Sequence, residues 1–211
     1  MNERIFVTGI DTEVGKTVVS AILVEALNAD YWKPVQAGDL DNTDSHKVGR
    51  YIANSASVIH SEGFRLNTPA SPHVSARIDG IEISLDSLNP PLVENSLVIE
   101  GAGGLMVPLN DDGDMMLDLL LKTATKVVLV SRNYLGSINH TLSAFEVLKS
   151  KGVKVDLLVF SGEENKESEA IIESYGMPSK VLRVPRFEAV DSLSVGEFAS
   201  NHKENIISEF K

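Results

Sequence analysis

At 211 residues, 43% of them apolar, the chain is long enough to bury a sizeable core, and a single domain spanning 1–211 is expected. Its net charge of −11, with no cluster of Lys or Arg, argues against nucleic acid as a partner. The absence of Cys excludes disulfides, thiolate metal sites and a cysteine nucleophile; no run reaches the roughly 18 apolar residues that a membrane span needs, and no secretory h-region follows Met1-Asn2-Glu3-Arg4, so a cytoplasmic protein without a membrane partner is expected.

A first strand is expected over Arg4 to Thr8, running into the loop Gly9-Ile10-Asp11-Thr12-Glu13-Val14-Gly15-Lys16-Thr17, with a helix from Lys16 to near Asn28. Gly-Lys-Thr at a strand-loop-helix junction reads as a nucleotide-phosphate site. Backbone N–H groups of Val14 to Thr17 would face the phosphates at the helix start. Lys16 supplies a point charge near the transferred phosphoryl group, and the Thr17 hydroxyl can ligate magnesium. In the standard loop the first glycine lies five positions before the Gly-Lys pair. Here Ile10 stands at that position and Gly9 is one residue further out, so the loop is longer or turned differently.

Tyr31-Trp32-Lys33-Pro34-Val35 reads as a second strand, and Pro34 favours an extended Lys33 at its end. A lysine leaving a strand end beside the phosphate loop is a site candidate. Gln36 to Asp44 reads as a loop, followed by a helix that Asn42 or Thr43 can cap and that runs to Asn54. Asp39, Asp41 and Asp44 form either a solvated face or, through one of them, part of a magnesium shell. Ser57 to Arg65 is weakly patterned. Asn67 to His73 forms a rigid turn, and Val74 to Arg77 a short helix ending at Asp79-Gly80. His73, at the helix start, can hydrogen-bond, bind an anion or simply pack. Ile81 to Asn95 is expected to return through one helix punctuated or opened by Pro90-Pro91.

Leu97-Val98-Ile99-Glu100-Gly101-Ala102-Gly103-Gly104 carries the second strong signal, a buried strand ending in a carboxylate and then glycines. Glu100 suits the acidic residue that polarises magnesium or its water, and the glycines let backbone pass close to substrate. Leu105 to Leu109 continues as an extended segment, Asn110 to Asp114 is an acidic loop, and Met115 to Lys122 is a short helix whose Met and Leu residues belong to the core. Lys126 to Val130 is an unalternating apolar strand of the parallel kind. Gly136-Ser137-Ile138-Asn139-His140 then opens a helix to Ser150, at the strand end where such sheets bind ligands, with helix capping as the plainer role for Asn139 and His140. Strands over Val153 to Phe160 and Lys180 to Val184 and helices over Glu163 to Tyr175 and around Ile206 to Phe210 complete the chain. The alternation defines an α/β three-layer sandwich with a mostly parallel sheet and no dividing linker.

Five blocks in order, Gly9 to Thr17, Lys33-Pro34-Val35-Gln36-Ala37-Gly38, Ser71-Pro72-His73, Glu100 to Gly104 and Leu135 to His140, resemble those of the dethiobiotin synthetase family, including its displaced first glycine. The resemblance implies a P-loop NTPase-like fold and an enzyme that uses ATP and Mg2+ to close a cyclic urea on 7,8-diaminononanoate with CO2. It implies that one amine takes up CO2 as a carbamate, that the carbamate oxygen attacks the γ-phosphate, and that the second amine attacks the mixed anhydride.

By the same resemblance Lys16, Lys33 and Thr12 are catalytic, and Thr17, Asp44 and Glu100 hold magnesium, which singles out Asp44 among its neighbours. Glu13, Val14, Gly15, Lys16, Thr17, Val18, Glu100 and Gly103 would bind the nucleotide phosphates and metal, with Phe160 or Ser161 and with Pro185, Arg186 and Phe187 around the base. Thr12, Lys33, Ala37, Ser71, Pro72 and His73 would line the diamine site. Gly136, Ser137, Ile138 and Asn139 would reach the substrate carboxylate from the other subunit of a homodimer. Two departures are visible. Ala37 replaces a frequent hydroxyl residue, and Leu158-Val159-Phe160-Ser161-Gly162-Glu163 lacks the family's adenine-recognising Asn-Asp pair. The alternative is a dimeric ATP-switch protein of the partitioning or division-positioning type, but Gly9 to Val14 contain no extra lysine of the kind such proteins carry.

Overall fold

In the computed structural model, which describes residues 2–210, six strands form one parallel sheet. They are β1 (Arg4–Gly9), β2 (Asp30–Trp32), β5 (Leu97–Gly104), β6 (Lys126–Arg132), β7 (Leu157–Ser161) and β8 (Lys180–Val184), in the order β2-β5-β1-β6-β7-β8. Both faces of the sheet are covered, so the strands read as continuous apolar runs. Ile5, Phe6 and Val7 are all fully buried.

Alternate side chains feed the two cores, because successive residues of a strand point to opposite faces. Ile5, Val7, Val128 and Val159 pack with α1 (Lys16–Leu27) and α7 (Ser192–Glu209), while Phe6, Ile99, Leu129 and Leu158 pack with α4 (Met116–Thr123), α5 (Ser137–Ser150) and α6 (Lys166–Gly176). The expected three layers are therefore present. The order also puts β1 between β5 and β6, so the loops after these three strands share one edge, where open α/β sheets bind ligands.

Three segments differ from the sequence reading, one of them the strand expected from Val153, which begins only at Leu157. The strand expected over Tyr31 to Val35 stops at Trp32, and Val35–Ala37 forms β3, which pairs with β4 (Phe64–Leu66) in a separate two-stranded parallel sheet. Pro34 has no N–H to continue the ladder. The helix expected over Ile81 to Asn95 is reduced to one 3-10 turn, Leu85–Ser87, with Ile83 and Leu88 buried. Pro90 and Pro91 cannot donate helical hydrogen bonds. The C-terminal helix, of which Ile206 to Phe210 was read as a part, starts at Ser192, where the Asp191 carboxylate accepts from the Leu193 and Ser194 N–H groups.

The cap of α2 (Asp44–Tyr51) is Thr43, whose hydroxyl accepts from His46 N–H at 3.2 Å while His46 Nδ1 accepts from Thr43 N–H at 3.3 Å. α3 (Pro72–Asp79) begins with Pro at its first position and ends at Gly80 in the left-handed region. Among the described residues no helix is long and apolar enough to cross a membrane.

Candidate active site

The phosphate loop leaves the central strand at Gly9 and returns as α1. Its turn is made by two residues with positive φ, Glu13 at 54° and Gly15 at 98°. Glycine is required at the second position: a Cβ there would lie 2.5 Å from Ser161 Oγ in a backbone conformation that side chains disfavour. No side chain among the described residues caps α1, so its first N–H groups are available to an anion. Lys16 is buried behind them, and its ammonium donates to the Asp11 carbonyl at 2.8 Å. Burial, and then the nearby charge of Lys33, lower its pKa to about 8.

Glu100, at the end of β5, is the hub of the second part. Its Oε1 accepts from Thr17 Oγ1 at 2.9 Å and Lys33 Nζ at 3.1 Å, and its Oε2 accepts from the Tyr31 hydroxyl at 2.9 Å. Lys33 Nζ also lies 2.7 Å from Asp44 Oδ2 and donates to the Gly101 carbonyl. Burial opposes the charge on Lys33, but Glu100 and Asp44 outweigh it and hold its pKa above the usual lysine value. Asp44 responds reciprocally. Burial pushes its carboxyl up, yet Lys33 brings it down to about 2. Tyr31, buried beside a carboxylate that accepts its proton in a hydrogen bond, is raised well above the usual phenol value and stays neutral.

Asp44 is thereby distinguished from its neighbours by structure as well. Its backbone N–H donates to Gln36 Oε1 at 3.1 Å, and Gln36 Nε2 donates to the Gly38 carbonyl at 2.9 Å. This buried amide ties the start of α2 to β3. Asp39 instead pairs with Lys47 at 3.0 Å, and Asp41 is exposed.

A cavity of about 830 Å³ gathers most of the candidates. Thr12, Glu13, Gly15, Lys16, Thr17 and Val18 form one wall, Lys33, Ala37, Asp44, Glu100 and Gly103 the floor and far side, and Ser71 and Pro72 enter from the turn before α3. Val14 does not line the cavity; its side chain is in the core. His73 does not line the cavity; its Nδ1 lies 3.2 Å from Ser71 Oγ. Gly136, Ser137, Ile138 and Asn139, at the start of α5, also stand outside the cavity of their own chain.

A second cavity of about 400 Å³ continues from the loop, sharing Glu13, Gly15 and Val18, and is lined by Pro185, Arg186 and Phe187. Phe160 requires a correction. Its ring is buried in the core on the α5 side of the sheet, with the Arg183 guanidinium 5.6 Å from its centroid, and it does not reach this cavity. Ser161, one residue on and therefore on the other face, does.

Sequence reasoning missed Tyr31 and Gln36. Tyr31 had a usable signal, since it precedes Lys33 by two positions on an extended segment and so shares its face. Gln36 had none: its partners, the Gly38 carbonyl and the Asp44 N–H, are backbone groups close in sequence, and which side chain is buried between them is decided by packing.

A parallel sheet whose central strand feeds a Gly-Lys-Thr loop, with an acidic residue on the adjacent strand end, defines a P-loop nucleotide-binding protein. A family model described as an AAA domain matches residues 3–194. An ATP-dependent dethiobiotin synthetase BioD of Christiangramia forsetii is 50% identical over 98% of this chain and 99% of its own length, and one of Rhodopseudomonas palustris is 48% identical over 90% and 91%. A plasmid partition protein of Borrelia burgdorferi has a TM-score of 0.59 over 100% of this chain and 98% of its own, but 13% identity, which speaks to the fold alone. The chain belongs to the ATP-dependent dethiobiotin synthetase family.

Proposed function

We propose that the protein forms dethiobiotin from 7,8-diaminononanoate, CO2 and ATP, in the cytoplasm where ATP is supplied. The observation that carries this reading is the placement of two buried lysines, Lys16 and Lys33, on one cavity with Ser71 and Pro72, beyond what a nucleotide site alone needs. Family membership supplies the reaction.

In this reading one substrate amine takes up CO2 as a carbamate near Thr12 and Lys33. A carbamate oxygen attacks the γ-phosphorus and ADP leaves. The second amine then attacks the carbonyl of the mixed anhydride, phosphate leaves, and the cyclic urea closes. Lys16 and Lys33 stabilise charge on the carbamate and the transferring phosphoryl group. Both are held by carbonyls and carboxylates, so little reorganisation is needed during the reaction.

The donor set also fits a hard divalent cation. Thr17 Oγ1 and Glu100 Oε1 are 2.9 Å apart, Asp44 and Glu100 already share a cation in Lys33, and all three residues offer oxygen. Thr17, Asp44 and Glu100 would hold Mg2+, which neutralises charge on the β- and γ-phosphates. The nucleotide base occupies the second cavity, between Pro185 and Phe187 on one side and Ser161 on the other.

The substrate's distal carboxylate is assigned to the first turn of α5 in a second copy of the chain. The support is that Gly136 to Asn139 lie outside their own cavity while Leu135 and Ile138 are exposed. Incubation with diaminononanoate, bicarbonate, magnesium and ATP is expected to yield dethiobiotin by mass spectrometry. Intact nucleotide binding with no product would overturn the reading.

A further inference from the structure

The two positive-φ residues of the phosphate loop, Glu13 at 54° and Gly15 at 98°, are each met by a side chain from the end of a neighbouring strand. Arg132 and Ser161, the last residues of β6 and β7, are partners in the parallel register. They share a face with Val130 and Val159, two positions earlier, which pack in the core on the α1 side. Ser161 Oγ lies 2.5 Å from where a Cβ on Gly15 would stand, and Arg132 Nη1 donates to the Glu13 carbonyl at 3.2 Å.

Of the two loop residues, Glu13 is the one that needs holding. Glycine adopts a positive φ freely, whereas a residue with a Cβ is disfavoured there. The Glu13 side chain is exposed, and the contact with Arg132 is the one hydrogen bond that Glu13 makes among the described residues. Its effect reaches the phosphate site through a single peptide plane. The Glu13–Val14 bond is trans, so its C=O and N–H point opposite ways. Holding the carbonyl at Arg132 turns the Val14 N–H away from β6, and this is the first of the N–H groups, Val14 to Thr17, expected to face the phosphates. Arg65, Arg77 and Arg183 pair with the carboxylates of Glu62, Asp111 and Glu169, but Arg132 has no ion-pair partner among the described residues. Its charge is left uncompensated at the edge of the second cavity, beside Glu13 and Gly15, which suits a loop that receives an anion.

We propose that Arg132 is a positioning residue for nucleotide binding: by holding the Glu13 carbonyl it keeps the phosphate loop in its left-handed turn before the triphosphate arrives. It acts on the nucleotide through the loop, which then has less ordering to undergo on binding. The inference rests on the phosphate-loop reading, for which Lys16→Met is the reference.

ATP affinity is measured by calorimetry with magnesium, and stability by urea unfolding. Arg132→Met is expected to weaken ATP about 10-fold, the worth of a charge-assisted hydrogen bond. Arg132→Lys, which keeps a donor for the carbonyl, is expected to recover most of that loss. Both should unfold at the native urea midpoint, because the side chain is exposed. Glu13→Asn separates positioning from direct contact, since Asn enters the left-handed region more readily than Glu. In that background Arg132→Met is expected to weaken ATP by less than about 3-fold, whereas a guanidinium that met the nucleotide itself would cost the same factor in both. An equal loss in the two backgrounds overturns the proposal. So does a Lys variant no better than the Met variant, or native ATP affinity in Arg132→Met while Lys16→Met weakens it. If Lys16→Met also binds ATP as the native chain does, the loop is not the phosphate site, and the reading beneath this inference falls with it.

Discussion

The Nζ of Lys33 and the Oε1 of Glu100 lie 3.1 Å apart, with their side chains 4% and 1% exposed. Neither charge could be left in that position alone, since an unpaired buried ion costs several kcal/mol. The pair places an ammonium at the wall of the cavity that also holds the phosphate loop, and Asp44 completes it at 2.7 Å.

Lys33→Ala therefore removes both the cation proposed to act in the reaction and the partner of a buried carboxylate. Turnover is expected to be abolished, and urea unfolding to show a loss of about 3–5 kcal/mol with the chain still folded in buffer. Thr17 and Tyr31 continue to donate to Glu100, which limits the damage. Near-normal release of ADP and phosphate in the variant would remove Lys33 from the mechanism.

Lys16, with a pKa of about 8, is partly neutral in the free protein near that pH. Triphosphate beside the ammonium favours its charged form, so nucleotide binding must take up a proton. At pH 8 about half a proton is expected per ATP, read from binding enthalpies in buffers of different ionisation enthalpy. The uptake should vanish in Lys16→Met, provided residual binding is measurable, and an unchanged value there would assign the proton to another group.

Asp44 predicts the acid limb of stability. Its folded pKa of about 2 lies below the unfolded value of 3.8, so its contribution is present above about pH 4 and lost as pH falls toward 2. The size is on the order of 2 kcal/mol. Denaturation of the metal- and nucleotide-free chain should show a shallower fall over this range in Asp44→Asn than in the native protein; parallel curves would contradict the assignment.

Gly15→Ala tests the shape of the phosphate loop. A Cβ at φ 98° meets Ser161 Oγ at 2.5 Å and Ser161 Cβ at 3.3 Å. Strain of about 1–2 kcal/mol from the backbone alone is expected, enough to weaken ATP roughly 10-fold, with the clash in addition. Adding Ser161→Gly removes the clash but not the backbone strain, so part of the affinity should return. Full recovery would show that the positive φ is not needed for binding.

The legible features were those whose cause is local. Gly9 to Thr17 and Leu97 to Glu100 combine an apolar strand with the residue that follows it, and both were read where the structure has them. Ile81 to Asn95 was expected to form one helix punctuated or opened by Pro90-Pro91, whereas the segment buries Ile83 and Leu88 along an irregular path with a single 3-10 turn. Phe160 was also misplaced. It lies at the right height on β7, but which face it takes depends on the register of the strand, and one residue moves a side chain from the cavity to the core.

By itself the sequence determined the parallel three-layer fold and the phosphate loop and marked Lys16, Lys33 and Glu100 as site candidates, because strand hydrophobicity, a turn and an adjacent charge are all short-range properties. Only the tertiary structure decided that Lys33 is shared between Asp44 and Glu100 and that Tyr31 closes the cluster from behind. Those relations join residues 11 to 69 positions apart, and burial gives them their strength. Desolvation, which no single segment can supply, turns ordinary side chains into a charged constellation with one arrangement.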